Sequence, residues 1–287
     1  MGPFEALKKG WDKIREHYWS LVGLQILIGL IAAGVGVFAA WIGALFVSPS
    51  VHNAVISAGG WDKVMQTFSG NDQTAITDML SAWVNTNSIS ATLAMAIVAF
   101  LVFFLISGFL NGALISGLKQ ATSKKGIELT EALEVGWDTM IPMAGASILM
   151  CAALAALVGL PFVVLVAVAD LNLIWVTTLA ALGFVAGAIA AVILGIHWML
   201  YRFAVVLDDL DATDSLARSF TLVRHNAPDL FLLTILIGVI STFASTLFSP
   251  LGDPASGVLT MVFSLLTAPI FIASYLVYYE WLKRRQA

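Results

Sequence analysis

The sequence predicts an all-α, polytopic membrane protein, and three observations carry that prediction. The first is composition. Of 287 residues, 60% are hydrophobic and 11% charged, and the mean hydropathy is +0.93. Soluble domains hold about 45–50% apolar and about 25% charged residues. A chain this poor in charge cannot cover itself for water, so lipid must solvate most of its surface. The second is a set of six uncharged apolar runs, each of about 18 residues or more. They lie near 21–47, 89–118, 140–169, 173–201, 230–249 and 258–279. The third is the placement of the cations. With the N-terminus, the segments near 119–139 and 202–229 and the C-terminus on one side, that side holds thirteen of the fourteen Lys and Arg residues, all but Lys63. Such a bias predicts six spans with both termini cytoplasmic.

In chain order, the segment before the first span carries Phe4, Leu7, Trp11, Ile14 and Tyr18 at spacings of 3, 4, 3 and 4. That is one face of an amphipathic helix with charges on the other faces, and Pro3 suits its first turn. The first span, about 21–47, is too long for a secretory h-region and follows a segment of mixed charge, so it is not a signal peptide. An extracytoplasmic insertion, 48–88, then shows two more stripes: Trp61, Val64, Met65 and Phe68, then Ile76, Met79, Leu80 and Trp83. These read as two amphipathic helices that form a lid or docking surface, or that shield a short bundle. In the third span Pro161 offers a kink, and Pro142 is placed in the first turn, where proline is tolerated. Trp19, Trp41, Trp175, Tyr278, Tyr279 and Trp281 fall near span ends, as an aromatic belt requires.

The chain also repeats itself. Glu5-Ala6-Leu7-Lys8-Lys9-Gly10-Trp11-Asp12 recurs as Glu131-Ala132-Leu133-Glu134-Val135-Gly136-Trp137-Asp138, identical at six of eight positions. A weaker copy runs from Asp214 to Thr221, with Ser219-Phe220 in place of Gly-Trp. Each copy precedes an inward-to-outward span. The expected architecture is three hairpin units, about 1–120, 121–206 and 207–287, within a single membrane domain. Each unit opens with a cytoplasmic amphipathic helix, for which Thr130 and Thr213 are the expected N-caps in the later copies. Trp11, Trp137 and Phe220 are the expected interfacial anchors. Gly10, Gly136 and Ser219 are the expected close-packing small residues, because glycine inside a helix costs about 1 kcal/mol relative to alanine and its recurrence asks for a reason. The helices either engage lipid or only start each hairpin.

Six spans and the inner helix from Leu207 to Phe220 (Leu207-Asp208-Asp209-Leu210-Asp211-Ala212-Thr213-Asp214-Ser215-Leu216-Ala217-Arg218-Ser219-Phe220) resemble the membrane domain associated with glycerophosphoryl diester phosphodiesterases. They also resemble related six-helix prokaryotic proteins. The resemblance implies a membrane location. In the enzymes of that group a soluble barrel follows the membrane domain; here the chain ends six residues after Trp281, so no catalytic residue carries over.

Candidate chemistry is sparse. Gln25, Asn111, His197, Arg202 and Glu280 are the polar residues within spans. Asn111, His197 and Arg202 form the one candidate intramembrane cluster. It suits an anionic head group if it faces the bundle interior. The competing reading is interhelical hydrogen bonding, with Arg202 and Glu280 snorkelling to the interface. Gly108/Gly112 and Gly183/Gly187 have GxxxG spacing, with Gly29/Ala33 a looser pair, and are expected to let helices approach. Isolated histidines and the lone Cys151 point to no metal, no cofactor and no internal disulfide. No hydrolase, zinc-protease or phosphate-loop motif is present, and no basic run of nucleic-acid-binding size.

The function these features predict is a non-enzymatic scaffold or subunit of the cell membrane. Its partners would be lipids, another membrane protein or a second copy of itself. The alternative is a transporter of a small or amphipathic substrate, disfavoured because three like-oriented hairpins are not an inverted pair. The topology has a direct test. Cysteines introduced at Ser69 and Ser123 should be labelled from opposite sides of intact cells; labelling from one side overturns the six-span orientation.

Overall fold

The computed structural model describes residues 1–34, 89–123, 126–169, 174–252 and 255–286. The insertion 48–88 and its two stripes lie outside them. Among the described residues every regular element is helical: α1 (Pro3–Ile14), α2 (Tyr18–Gly34), α3 (Ile89–Thr122), α4 (Leu129–Ala169), α5 (Ile174–Trp198), α6 (Tyr201–Asp208), α7 (Ala212–Val223), α8 (Ala227–Phe248) and α9 (Ala255–Gln286). A 3-10 turn, Ser249–Leu251, lies between α8 and α9. The chain divides into two compact units, residues 1–28 with 104–287, and residues 29–103. Of the second unit, the ends of α2 and α3 are described.

Five stretches are long and apolar enough to cross a membrane: Ile97–Thr122, Leu129–Ala167, Trp175–Asp208, Ala227–Phe248 and Ala255–Gln286. A sixth is added if α1 and α2, which meet at 93°, count together. The first expected span starts in α2 and leaves the described residues after Gly34. Large apolar side chains such as Phe162, Trp175, Leu179, Phe243 and Met261 are exposed on these helices. In water that surface would be untenable; on spanning helices it is the lipid-facing side. The protein is membrane-embedded.

Three local expectations are corrected. The segment before the third span is no separate helix: α4 is continuous over 41 residues, about 60 Å at 1.5 Å per residue and roughly twice the hydrocarbon thickness. Pro142 is therefore interior, not in a first turn, and Pro161 lies inside the same helix. Both N-caps are also misplaced. Thr130 is the second residue of α4, and Thr213 is inside α7, where extended Asp211 (φ −65°, ψ 170°) holds the cap position. The fourth expected span, about 173–201, is occupied by α5, and the helix is interrupted at its end, between Trp198 and Tyr201, where α6 begins.

The main core gathers where α6 and α7 meet the C-terminal end of α9. Leu200, Phe203, Leu222, Leu230, Leu276, Tyr278, Tyr279 and Leu282 are all buried there, together with Ile14 and Leu21. We call this the charged end of the first unit, for the ion pairs described below. The small residues of the three octets set how closely its helices approach. Gly10, in α1, lies against α9: an added Cβ would sit 2.8 Å from Ser274 Oγ and 2.9 Å from Ser274 N. In α4, Gly136 lies against α3, with an added Cβ 2.8 Å from Phe109 O and 2.9 Å from Ala113 Cβ. Ser219, in α7, is fully buried. Its hydroxyl donates to His197 O (2.7 Å) and accepts from Leu200 N–H (3.2 Å), bridging the break between α5 and α6. Four positions earlier, Ala6, Ala132 and Ser215 are also fully buried. The next residues turn outward, with Trp11 41%, Trp137 67% and Phe220 40% exposed. Each of these aromatics keeps one ring contact: Trp11 with Tyr18, Trp137 with Phe109 and Phe220 with His197.

The GxxxG pairs divide. Gly108 and Gly112 lie directly against α4, at Met140 O and at Thr139 with Gly136. Gly187 of α5 lies on the Leu157 carbonyl, while Gly183 and Gly29 have open space where a Cβ would be. Leu157 O is the carbonyl that Pro161, four residues on, leaves without its helical N–H. Gly187 thus brings backbone to an orphaned acceptor in an apolar setting, where a Cα–H···O contact is the available substitute.

Substitutions at glycines should separate these roles in thermal unfolding in detergent. Gly136→Ala forces a methyl onto backbone and is expected to cost about 1–3 kcal/mol. Gly23→Ala, with nothing within 4 Å, should be neutral or stabilising by up to about 1 kcal/mol. Equal midpoints for the two variants would refute close approach at Gly136.

Candidate functional site: a cationic groove between the first and last helices

At the charged end, one carboxylate joins three helices. Asp208 closes α6, and its side chain is only 11% exposed. Lys283 Nζ of α9 lies 2.5 Å from Asp208 Oδ1, and Tyr279 OH donates to Oδ2 at 2.7 Å. Arg218 Nε of α7 stands 3.6 Å from the same oxygen. The next residue, Asp209, adopts a left-handed conformation (φ 52°), which short polar side chains tolerate and which ends α6 in a sharp turn. A second carboxylate, Glu280, accepts a hydrogen bond from Lys13 of α1 at 2.6 Å and lies 3.7 Å from Arg284.

Beside Glu280 a cavity of about 590 Å³ opens between α1 and α9, lined by Met1, Lys9, Asp12, Lys13, Val277, Trp281, Arg284 and Arg285. Four of these residues are cations and one is an acid. Lys9 is shared with Glu5 at 2.6 Å, and its hydrogen bond and charge hold the Glu5 carboxyl below the usual carboxylate range. The Arg285 guanidinium lies 4.2 Å from the Trp281 ring centroid, a cation–π contact that pre-positions its N–H groups. With an indole and a valine as its apolar wall, the groove suits an anion attached to an apolar body. Its cations were visible in the sequence as markers of orientation. Lys9 and Lys13 are one turn apart, and Arg284 and Arg285 follow Trp281. What brings the two groups together is the packing of α1 on α9, across 267 positions between Lys13 and Glu280.

The expected cluster of Asn111, His197 and Arg202 comes together in part. Arg202 Nη1 donates to Asn111 Oδ1 at 3.1 Å, and Arg202 Nε to Tyr201 OH at 3.2 Å. Asn111 is anchored by its amide, which donates to Ser107 O at 2.6 Å. Tyr201 OH pairs in turn with buried Ser147 Oγ at 2.7 Å. His197 is apart from this string. Its Nδ1 lies 2.7 Å from Ile193 O and its ring lies on Phe220 at 4.7 Å. His197 lies near the end of α5 and Arg202 at the start of α6, and residues five apart at about 100° per residue already point roughly 140° apart. Nor does Arg202 face the interior, because it is exposed. Among the described residues no group of three His, Cys, Asp or Glu side chains is placed to hold a metal ion.

Spanning helices with exposed apolar flanks, tied at one end by ion pairs around a cationic groove, define an all-helical integral membrane protein. Comparison with known families gives the narrower assignment. Residues 73–279 match the family model described as a domain of unknown function, DUF7847, and the chain belongs to that family. No curated protein and no solved structure matches it.

The ion pairs should differ in worth. Asp208→Asn strips a nearly buried partner from Lys283 and Arg218, which stay partly exposed, and is expected to destabilise by about 1–2 kcal/mol. Glu5→Gln removes one member of an exposed, water-screened pair and should leave the midpoint nearly unchanged. Thermal midpoints of the two variants in the same detergent test the ranking.

Proposed function

We propose that this is a non-enzymatic scaffold or subunit of the cell membrane that engages anionic lipids through the groove between α1 and α9. The observation that carries the reading is the convergence of Lys9, Lys13, Arg284 and Arg285 around Trp281, at the end of a helix long and apolar enough to cross a membrane, which supports a position at the membrane surface. Clustered cations near a membrane contribute about 1 kcal/mol each toward an anionic leaflet, and the indole sits comfortably at headgroup depth. The bias of Lys and Arg to one side supports cytoplasmic termini, so the groove would face the inner leaflet. Support for three equivalent units comes from the shared pattern of the octets: a small buried residue, then an outward aromatic. A membrane protein partner or a second copy would meet the same end of the bundle. The likeness to the phosphodiesterase-associated membrane domain adds a membrane setting to this reading and no catalytic role.

The test compares the full chain in nanodiscs of phosphatidylcholine with and without phosphatidylglycerol. The wild type should enrich phosphatidylglycerol around itself, and enrichment should fall as salt is raised. The double variant Lys9→Glu, Arg285→Glu should lose the preference by about tenfold, in line with the charge reversed at the surface. An unchanged preference removes the groove as the lipid site.

A further inference from the structure

We propose a second lipid site on the flank of the bundle, where Arg202, oriented by Asn111, holds the phosphodiester of a membrane phospholipid. It is separate from the groove and rests on different residues. Arg202 belongs to a stretch long and apolar enough to cross a membrane, Trp175–Asp208, at the edge where the inner segment begins, and its side chain is exposed. From Arg202 to Asp208 is six residues of helix, about 9 Å, so the backbone of Arg202 lies one to two turns before the ion-paired end of the bundle, toward the apolar part of the same stretch. A full charge at that depth is costly unless an anion answers it.

No anion among the described residues does so. Among the described residues, the ion pairs engage Lys9, Lys13, Arg218, Lys283 and Arg284, never Arg202. The partners of Arg202 are neutral: Asn111 Oδ1 at Nη1 and Tyr201 OH at Nε. These hydrogen bonds orient the guanidinium without cancelling its charge. They also leave the Nη2 donors for another acceptor. The orienting groups are themselves fixed, Asn111 by Ser107 and Tyr201 by Ser147, which bonds back to Met143 O at 2.8 Å. A planar fork held in place on an exposed flank of the bundle matches the two oxygens of a phosphate, the group that arginine binds in parallel N–H···O pairs. A phosphodiester reaches this position at the end of its own acyl chains. A free phosphate ion would have to leave water to do so, and for that reason the lipid is the proposed source.

The two sites predict different headgroup responses. Every phospholipid carries the phosphodiester, so the Arg202 site should accept zwitterionic and anionic lipids alike, whereas the groove should select net negative charge. The experiment is native mass spectrometry of the full chain released from detergent, titrated with phosphatidylcholine or phosphatidylglycerol. Arg202→Gln should weaken the tightest phosphatidylcholine adduct about tenfold, as expected for losing charge-assisted hydrogen bonds, and should weaken phosphatidylglycerol similarly. The groove variant Lys9→Glu, Arg285→Glu should leave the phosphatidylcholine adduct intact. Failure of the groove reading therefore leaves this site untouched, and the converse holds. Arg202→Lys keeps the charge but loses the fork. It should retain the wild-type thermal midpoint and bind phosphatidylcholine at least about threefold more weakly, which keeps the test informative if Arg202→Gln fails to fold. Inorganic phosphate at millimolar concentration should not displace the lipid. Wild-type phosphatidylcholine binding by the folded Arg202 variants, or full displacement by inorganic phosphate, overturns the proposal.

Discussion

Close approach of helix backbones at a few small residues is the constraint on which this structure depends. In lipid, helices gain nothing from hiding apolar surface from one another, so association rests on van der Waals contact and hydrogen bonding. Both need short distances. Gly10 against Ser274 and Gly136 against Phe109 and Ala113 provide them, and Ser219 adds two hydrogen bonds at a fully buried position. Because each small residue is followed by an outward aromatic, one helix face packs on protein while the neighbouring face meets lipid or headgroups. The octet thus encodes two contacts about 100° apart, the angular step of one residue.

Breaks in the helices follow from the same accounting. A carbonyl freed inside the bilayer must find a donor. Beyond Trp198 the chain leaves the helix, and Ser219 supplies the hydroxyl that takes up His197 O. Leu157 O, orphaned by Pro161, faces Gly187. In each case the irregularity in one helix is answered by a residue from another. The prolines and the break therefore act as places where helices are locked in register. The ion pairs at Asp208 and Glu280 complete this at the charged end, tying α9 to α6, α7 and α1.

Read physically, the two proposed lipid sites are consequences of packing. α1 lies across the end of α9 because Gly10 lets it, and the cations of both then share one groove. Arg202 is exposed beside buried Tyr201, because consecutive residues of α6 point about 100° apart.

The sequence by itself determined the membrane setting, most of the helices and the residues at which they would touch. These are properties of composition, run length and local spacing, and neighbours in the chain suffice to express them. Gly10, Gly136 and Ser219 stood out because a small residue recurs where propensity argues against it. Only the tertiary structure decided where α4 begins and that it runs unbroken through Pro142, since an interior proline is tolerated when neighbouring packing compensates for its lost hydrogen bond. It also joined Asn111 to Arg202 across 91 positions. The groove is the clearest case. Lys13 and Glu280 are nearly a whole chain apart, and no local pattern announces that pairing, because it arises from the long-range packing of α1 on α9.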